Sequence, residues 1–367
     1  MSSVQSRTIF VRVGPDPYPV HCGSGLLADL AKLLPLHRMD YTSIFTLSSR
    51  NVWKHWGGAI EKALRRLPGK AQTLLFDDSE AKKTIATAEK VSRELVRRGA
   101  DRGSLLVAAG GGVVGDVVGY VAATYMRGVD YVQVPTTLVA QIDSAIGGKT
   151  GVNVPEGKNL IGAFHHPRAV VADAKVLATL DARQYRSGLY EVVKYAVIDD
   201  AQLFRFLEST FNPLLARKTA ALDYIIPACV RIKARIVEAD EREQNLRRVL
   251  NFGHTIGHAL EAVTGYARFS HGEAVGWGML AATDLARRLA RMAAEDAARI
   301  RALIGRLGKL PALSGISSAA LYRQLFADKK ARAGKLCFVL PLSIGRVEIV
   351  PGVPEKIVRE TLANLAP

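Results

Sequence analysis

The chain is short of cysteine, of acidic residues and of long apolar runs, and each shortage removes a class of protein. Only three cysteines, Cys22, Cys229 and Cys337, occur in 367 residues, far apart and with no C-x-x-C pair. That removes a disulfide framework and points to buried, reduced thiols in a cytoplasmic protein. No stretch approaches the roughly 18 uncharged apolar residues that cross a bilayer, so no membrane anchor is expected. Residues 1–20 lack an apolar core followed by a small-residue cleavage site, so no secretory signal is expected either. Internal repeats and low-complexity segments are also missing.

The acidic deficit, 34 residues against 50 basic ones, gives a net charge of +16. Such a balance suits a nucleic-acid partner, but the basic residues are dispersed, without an aromatic-interleaved stripe or zinc-finger spacing. The densest stretch sets Arg287, Arg288, Arg291, Arg299, Arg301 and Arg306 on an Ala/Leu-rich helical pattern, which reads as a solvated helix face. A net positive field also gathers a small polyanionic substrate.

What is present suits a two-domain globular protein, the prior for this length and for 49% apolar content. Short β-rich runs at residues 8–13, 43–47, 73–76, 105–109, 131–134 and 169–172 alternate with amphipathic stretches at 52–67 and 80–98. Ser79 is the expected N-cap of the second stretch. Alternation of this kind predicts a mostly parallel sheet covered on both faces. Beyond residue 173 helical patterns dominate, at 184–197, 222–239, 251–264, 271–290 and 294–307, with a late hairpin at 336–340 and 346–350. The expected division is residues 1–175, an α/β nucleotide-binding domain, and 176–367, a mainly helical domain.

Four segments carry chemistry. Gly110-Gly111-Gly112-Val113-Val114-Gly115-Asp116 satisfies G-x-G-x-x-G, follows a predicted strand and opens a helix, the arrangement of a pyrophosphate-binding turn. A purely structural glycine turn explains the same residues, and its place after the fourth predicted strand departs from the ordinary Rossmann layout. Asp78, Glu80 and Lys83 follow another strand, where Glu80 would accept from ribose hydroxyls and a capped helix start is the plainer reading. Thr136, Thr137, Asp143, Lys149, Lys158 and Asn159, with Arg127 upstream, gather cations and hydrogen-bonding groups among many glycines, in the manner of a phosphate or carboxylate cradle. Finally, Glu191, His254 and His271 offer one carboxylate and two imidazoles, a ligand set for a catalytic divalent metal with coordination positions open. Lys194 shares a helix face with Glu191, and His258 shares one with His254. Of that histidine pair we expect only His254 to ligate, leaving His258 as proton carrier or hydrogen-bond donor. Lys233, Glu243, Arg247 and Asn251 add polar groups to the helical part, and Lys329 and Lys330 come late.

Together these residues resemble the 3-dehydroquinate synthase family. The likeness runs from about residue 78 to 330 and is strongest from Gly110 through Phe164, with NFGHTIGHALE and HGEAV carrying the rest. It implies a Rossmann-like N-terminal domain, an all-α C-terminal metal-binding domain, an active site between them and a homodimer. By position it implies metal ligation, by zinc or cobalt, at Glu191, His254 and His271. It implies NAD contacts from Asp78, Glu80, Lys83, Gly112, Val113, Val114, Gly115, Asp116, Thr136, Thr137, Lys149, Lys158, Val176, Leu177, Ala178 and Thr179. Substrate contacts would come from Arg127, Asp143, Lys149, Lys158, Asn159, Lys194, Lys233, Arg247, Asn251, His258 and one or both of Lys329 and Lys330.

The implied substrate, 3-deoxy-D-arabino-heptulosonate 7-phosphate, carries a carboxylate and a phosphate, which suits the cationic inventory. The implied sequence is oxidation at C5 by NAD, β-elimination of phosphate, return of the hydride, ring opening and intramolecular aldol closure, the second step of the shikimate route. Two departures stand out. Relatives often have Glu-Gly-Leu-Ala-Glu where this chain has Ser187-Gly188-Leu189-Tyr190-Glu191, and an acid where it has Ser49 beside Arg50. Arg50 would attract a 2′-phosphate whereas Glu80 would repel one, so NAD is expected over NADP. The rivals are a valiolone- or inosose-type cyclase, a metal-dependent polyol dehydrogenase that would not need the cationic set, and a nucleic-acid binder that would leave the metal set without purpose.

Overall fold

The run Ser-Leu-Leu-Val-Ala-Ala-Gly at Ser104–Gly110 has no polar alternation, and it is buried along its whole length. Leu106 and Ala108 enter one core with Phe45, Leu47, Val114 and Val118. Leu105, Val107 and Ala109 enter another with Ile44, Ile60, Leu64 and Leu30. A strand covered on both faces reads as a continuous apolar run, because neither set of alternate side chains meets water.

The computed structural model describes residues 6–14, 16–34, 41–65, 67, 70–327 and 336–365, which pack as two compact units. In chain order the first stretch comprises β1 (Arg7–Val11), β2 (Tyr18–Gly23), α1 (Leu30–Leu33), β3 (Ser43–Ser48), α2 (Arg50–Leu64), β4 (Lys70–Leu75), α3 (Ile85–Arg97) and β5 (Ser104–Gly110). It continues with α4 (Gly112–Thr124), β6 (Tyr131–Pro135), β7 (Lys149–Val154), β8 (Gly157–Phe164) and β9 (Val170–Asp173). Seven strands form one sheet in the order β1-β2-β9-β6-β5-β3-β4, parallel except for the edge strand β1. The order reverses between β3 and β5, and ligands of open α/β sheets bind beyond the carboxyl ends of strands at such a point. The glycine turn leaves β5 there. Its position after a late strand is therefore what this strand order requires.

The mainly helical stretch holds α5 (Ala182–Asp199), α6 (Ala201–Ser209), α7 (Phe211–Leu215), α8 (Thr219–Ala239), α9 (His254–Val263), α10 (His271–Arg288), α11 (Ala294–Arg306) and α12 (Ser318–Ala327). A hairpin of β10 (Cys337–Ser343) and β11 (Arg346–Pro351) precedes α13 (Glu355–Leu365). Within the second unit, α10 packs against α9, α5, α11 and α13. No described helix is long and apolar enough to cross a membrane.

The packing divides the chain differently from a single cut at residue 175. Residues 217–242, including α8, belong with residues 1–180, and the second unit is 181–216 with 243–367. The reason is that α8 packs on β1, β2 and the π-helical turn Ala140–Ser144, all of them in the first unit. Two local expectations also change. Ser79 makes no side-chain cap, and the helix begins later at Thr84, whose hydroxyl accepts from the Thr87 amide. Residues 149–164, read as a glycine-rich cradle, form the antiparallel hairpin β7–β8.

Candidate active site

In the first unit, the four glycines of the turn do different work. A Cβ on Gly110 would lie 2.6 Å from Val114 Cβ, so packing demands that glycine, whereas one on Gly115 would meet the tip of a side chain, Gln133 Oε1, at 2.5 Å. Gly112 would meet only Ser144 Oγ at 3.3 Å, and with Gly111 as N-cap it presents the amide end of the thirteen-residue α4. Backbone donors at such an end favour an anion. The Val114 side chain is buried in the core and Val113 is half-buried, so what they offer a ligand is backbone. Thr136 and Thr137 flank this turn. The Thr136 amide donates to Gly110 O, and Thr137 Cγ2 lies 3.0 Å from the position of a Gly111 Cβ.

Lys83 is the hub of this half. It is only 4% exposed, its ammonium pairs with Asp116, and it donates to Asn159 Oδ1 at 2.5 Å. Burial pushes the Asp116 carboxyl up, and the adjacent Lys83 charge opposes that shift. Glu80 Oε1 accepts from Asn153 Nδ2 at 2.8 Å, which ties the turn after β4 to the β7–β8 hairpin. Replacing Lys83 with Met should lower stability by about 3 kcal/mol, the low end for stranding half of a buried pair, because Asp116 keeps 20% side-chain exposure. Urea unfolding reads the loss, and adding Asp116→Leu should recover most of it; equal midpoints for Lys83→Met and wild type would refute the pairing.

Other expected residues of this unit are positioned as follows. Lys233 of α8 reaches Asp143, which sits in the π-helical turn. Arg127 is exposed, at the end of a left-handed pair with φ of 50° at Met126 and 67° at Arg127. Lys149 is exposed at the start of β7, Lys158 half-buried in β8 and Asp78 half-buried after β4. Val176 and Leu177 are buried, whereas Ala178 and Thr179 are exposed, and Thr179 Oγ1 accepts from the Trp56 indole at 2.8 Å. Ser49 caps α2 through the Val52 amide, so its hydroxyl has a structural task.

In the second unit, Glu191 on α5, His254 at the start of α9 and His271 at the start of α10 converge. Their ligand atoms lie within 4.8 Å of one another. Glu191 Oε1 is 3.7 Å from His254 Nε2 and 3.3 Å from His271 Nε2. Close packing makes this possible. A Cβ on Gly278 would sit 1.8 Å from Gly253 O, and one on Gly272 would sit 2.1 Å from Ser187 O, so α9, α10 and α5 approach backbone to backbone. The departure at residues 187–190 is explained here as well. Ser187 Oγ accepts the Gly272 amide at 2.8 Å, and the buried Tyr190 ring packs where a Gly276 Cβ would lie 2.9 Å away. A reciprocal cap between Ser270 and Glu273 fixes the first turn of α10.

The electrostatics of this pocket call for a cation. Glu191 is fully buried beside Lys194, itself 1% exposed and 2.5 Å away. Burial alone would raise the carboxyl, but the Lys194 ammonium, with His254 and His271, holds it well below the usual range. Burial pushes His254 down to about 3, so it stays neutral with a lone pair to donate. At His271 burial also opposes charge, yet Glu191 and Glu261 outweigh it and push the group up to about 10. Neither Glu191 oxygen receives a well-directed hydrogen bond among the described residues. A buried carboxylate that faces two imidazole nitrogens and a lysine ammonium, with neither oxygen in a well-directed hydrogen bond, fits a divalent metal.

His258 is exposed, with its ring 5.2 Å from that of His254. Arg247 is buried, and Asn251 donates to Glu243 at 3.0 Å. Lys329 and Lys330 lie outside the described residues. The sequence reading missed Glu261 and Asn153. Glu261 follows His254 by seven positions and His258 by three, so helical periodicity would have put all three on one face.

A nucleotide-type α/β unit with an anion-ready glycine turn, joined in one chain to a helical unit with a two-histidine, one-carboxylate pocket, is an architecture that sugar phosphate cyclases have. The family model described as 3-dehydroquinate synthase N-terminal matches residues 73–187, and the one described as 3-dehydroquinate synthase C-terminal matches residues 188–331. The chain belongs to the 3-dehydroquinate synthase family. It is 45% identical to the 3-dehydroquinate synthase of Solibacter usitatus, over 93% of this chain and 94% of that one. Among solved structures it is similar to a 2-deoxy-scyllo-inosose synthase complexed with carbaglucose-6-phosphate, NAD+ and Co2+, with a TM-score of 0.88, 25% identity and coverage of 98% and 99%. It is also similar to a 2-epi-5-epi-valiolone synthase from Streptomyces hygroscopicus with NAD+ and Zn2+ bound, with a TM-score of 0.87, 29% identity and coverage of 96% and 98%. The family is one of NAD- and metal-dependent, phosphate-eliminating cyclases.

Proposed function

We propose that this chain carries out its family's reaction, conversion of 3-deoxy-D-arabino-heptulosonate 7-phosphate to 3-dehydroquinate and phosphate. The observation that carries the reading is the buried Glu191–His254–His271 pocket, whose ligand atoms converge within 4.8 Å, in a chain 45% identical to a named 3-dehydroquinate synthase. When bound, NAD would take and return one hydride while zinc or cobalt polarised the hydroxyl being oxidised.

The chain's own residues hold the reactants. The amide end of α4, from Gly112 to Asp116, takes the pyrophosphate, and Thr136, Thr137, Asp78, Glu80, Lys83 and residues 176–179 complete the cofactor contacts. Glu191, His254 and His271 are the metal ligands. Arg127, Lys149, Lys158, Asn159, Lys194, Lys233, Arg247, Asn251 and Lys330 orient the carboxylate, phosphate and ring hydroxyls, with Asp143 holding Lys233. His258 carries protons, a role supported by its exposure and its closeness to His254. The same reading makes the protein a cytoplasmic homodimer, and its cysteines, none of them in a disulfide, suit a reducing compartment.

Because the hydride taken first is returned later, NAD acts as a catalyst. With substoichiometric NAD and added zinc, each substrate should yield one inorganic phosphate over many turnovers, and NADH absorbance should stay near baseline. NADH accumulating in step with substrate loss, with phosphate still on carbon, would make the protein a dehydrogenase.

A further inference from the structure

His271 stands between two carboxylates. Its Nε2 faces Glu191 Oε1 at 3.3 Å and its Nδ1 faces Glu261 Oε2 at 3.3 Å. His254 is arranged alike, with Nε2 toward Glu191 and Nδ1 3.1 Å from Phe252 O. A neutral imidazole has one N–H and one lone pair, so whichever group accepts from Nδ1 decides that Nε2 presents the lone pair. We infer that Glu261 is a positioning residue, whose carboxylate accepts the Nδ1 proton of His271 and so aims Nε2 at the position shared by Glu191 and His254. This rests on the reading of Glu191, His254 and His271 as the metal ligands.

Three features support it. Glu261 is only 5% exposed, so its carboxylate is held in place and little screened. It projects from α9, the helix that carries His254, so one rigid element sets one ligand directly and orients the other. A carboxylate is also a stronger acceptor than the backbone carbonyl that serves His254, which makes His271 the more basic ligand. A second grouping, His258, Glu261 and His271, is also close enough to hold an ion, with Glu261 as ligand. The first grouping is favoured because both Glu191 oxygens are buried without a directed donor, whereas Glu261 already faces the Nδ1 of His271.

The test is the Zn2+ affinity of metal-free protein, measured by competition with a chromogenic chelator, for wild type, Glu261→Gln, Glu261→Ala and Glu191→Ala. Glu261→Ala should bind about 10–100-fold more weakly at unchanged stoichiometry. Glu261→Gln should fall between it and wild type, because an amide oxygen accepts the same hydrogen bond without the charge. Nitrogen-15 NMR of the zinc-loaded wild type should show the His271 proton on Nδ1, and this reading together with Glu261→Gln decides the matter if the alanine variant does not fold. Glu261 variants that bind like wild type while Glu191→Ala has lost zinc, or a His271 proton on Nε2, would overturn the inference alone. A wild type that does not bind zinc, or a Glu191→Ala that binds as wild type does, would instead overturn the ligand set beneath it.

Discussion

Glu191→Ala should leave the protein without stoichiometric metal and lower turnover by at least about a thousandfold, some 4 kcal/mol of transition-state stabilisation. Two losses coincide in this variant. The pocket keeps two imidazoles but no anionic ligand, and the Lys194 ammonium, 1% exposed, is left without the carboxylate 2.5 Å away. Stranding such a charge costs about 3–5 kcal/mol, so the thermal midpoint should fall as well. Adding Lys194→Met should restore most of the stability and none of the activity. The recovered stability assigns the thermal loss to the stranded ammonium, and the metal content assigns the loss of turnover. Elemental analysis showing full metal content in Glu191→Ala, together with a normal rate, would remove Glu191 from the ligand set.

Gly278→Ala adds one carbon and should be nearly as damaging. Its Cβ would sit 1.8 Å from Gly253 O and 3.0 Å from Gly257 N, both backbone atoms that no rotamer change can move aside. Helices α9 and α10 must then separate, at a cost of about 3 kcal/mol or more. Because His254 opens one helix and His271 the other, the same separation pulls two ligands apart. A displacement near 1 Å should cost about a hundredfold in turnover. Gly305→Ala on α11 is the control: nothing lies within 4 Å of its Cβ, so it should be neutral or stabilise by about 0.5–1 kcal/mol. A Gly278→Ala protein with wild-type midpoint and rate would show that α9 and α10 part without cost, against the close backbone approach described above.

Much of this architecture was legible beforehand. The β-rich runs at 43–47, 105–109 and 131–134 correspond to β3, β5 and β6, and the periodic stretches at 184–197, 271–290 and 294–307 to α5, α10 and α11. Long amphipathic segments declare themselves, because one-face burial imposes a repeat that any window of the chain displays. The second strand of the N-terminal pair, Tyr18–Gly23, went unread, because its proline near the start and glycine at the end read as turn residues, although β2 lies between β1 and β9. The β7–β8 hairpin was hidden by its glycines. At Gly151 and Gly162 a Cβ would meet the facing backbone at 2.7 Å and 2.1 Å, so those glycines serve cross-strand approach, although glycine ordinarily signals a loop.

The site divides along the same line. The sequence by itself determined the donor types and their local frames: a glycine turn opening a helix after a strand, Glu191 and Lys194 one turn apart, and His254 and His258 likewise. These follow from fixed helical and strand geometry, so spacing alone is enough. Only the tertiary structure decided partnership. It paired Lys83 with Asp116 and Asn159, set Lys233 of α8 against Asp143 across ninety residues, and turned the Nδ1 of His271 to Glu261. It also took α8 out of the helical half and packed it on β1 and β2. Such choices depend on which distant segments bury one another's polar groups, and a charge in a low-dielectric interior accepts whichever counter-group the packing brings near it, not the one nearest along the chain.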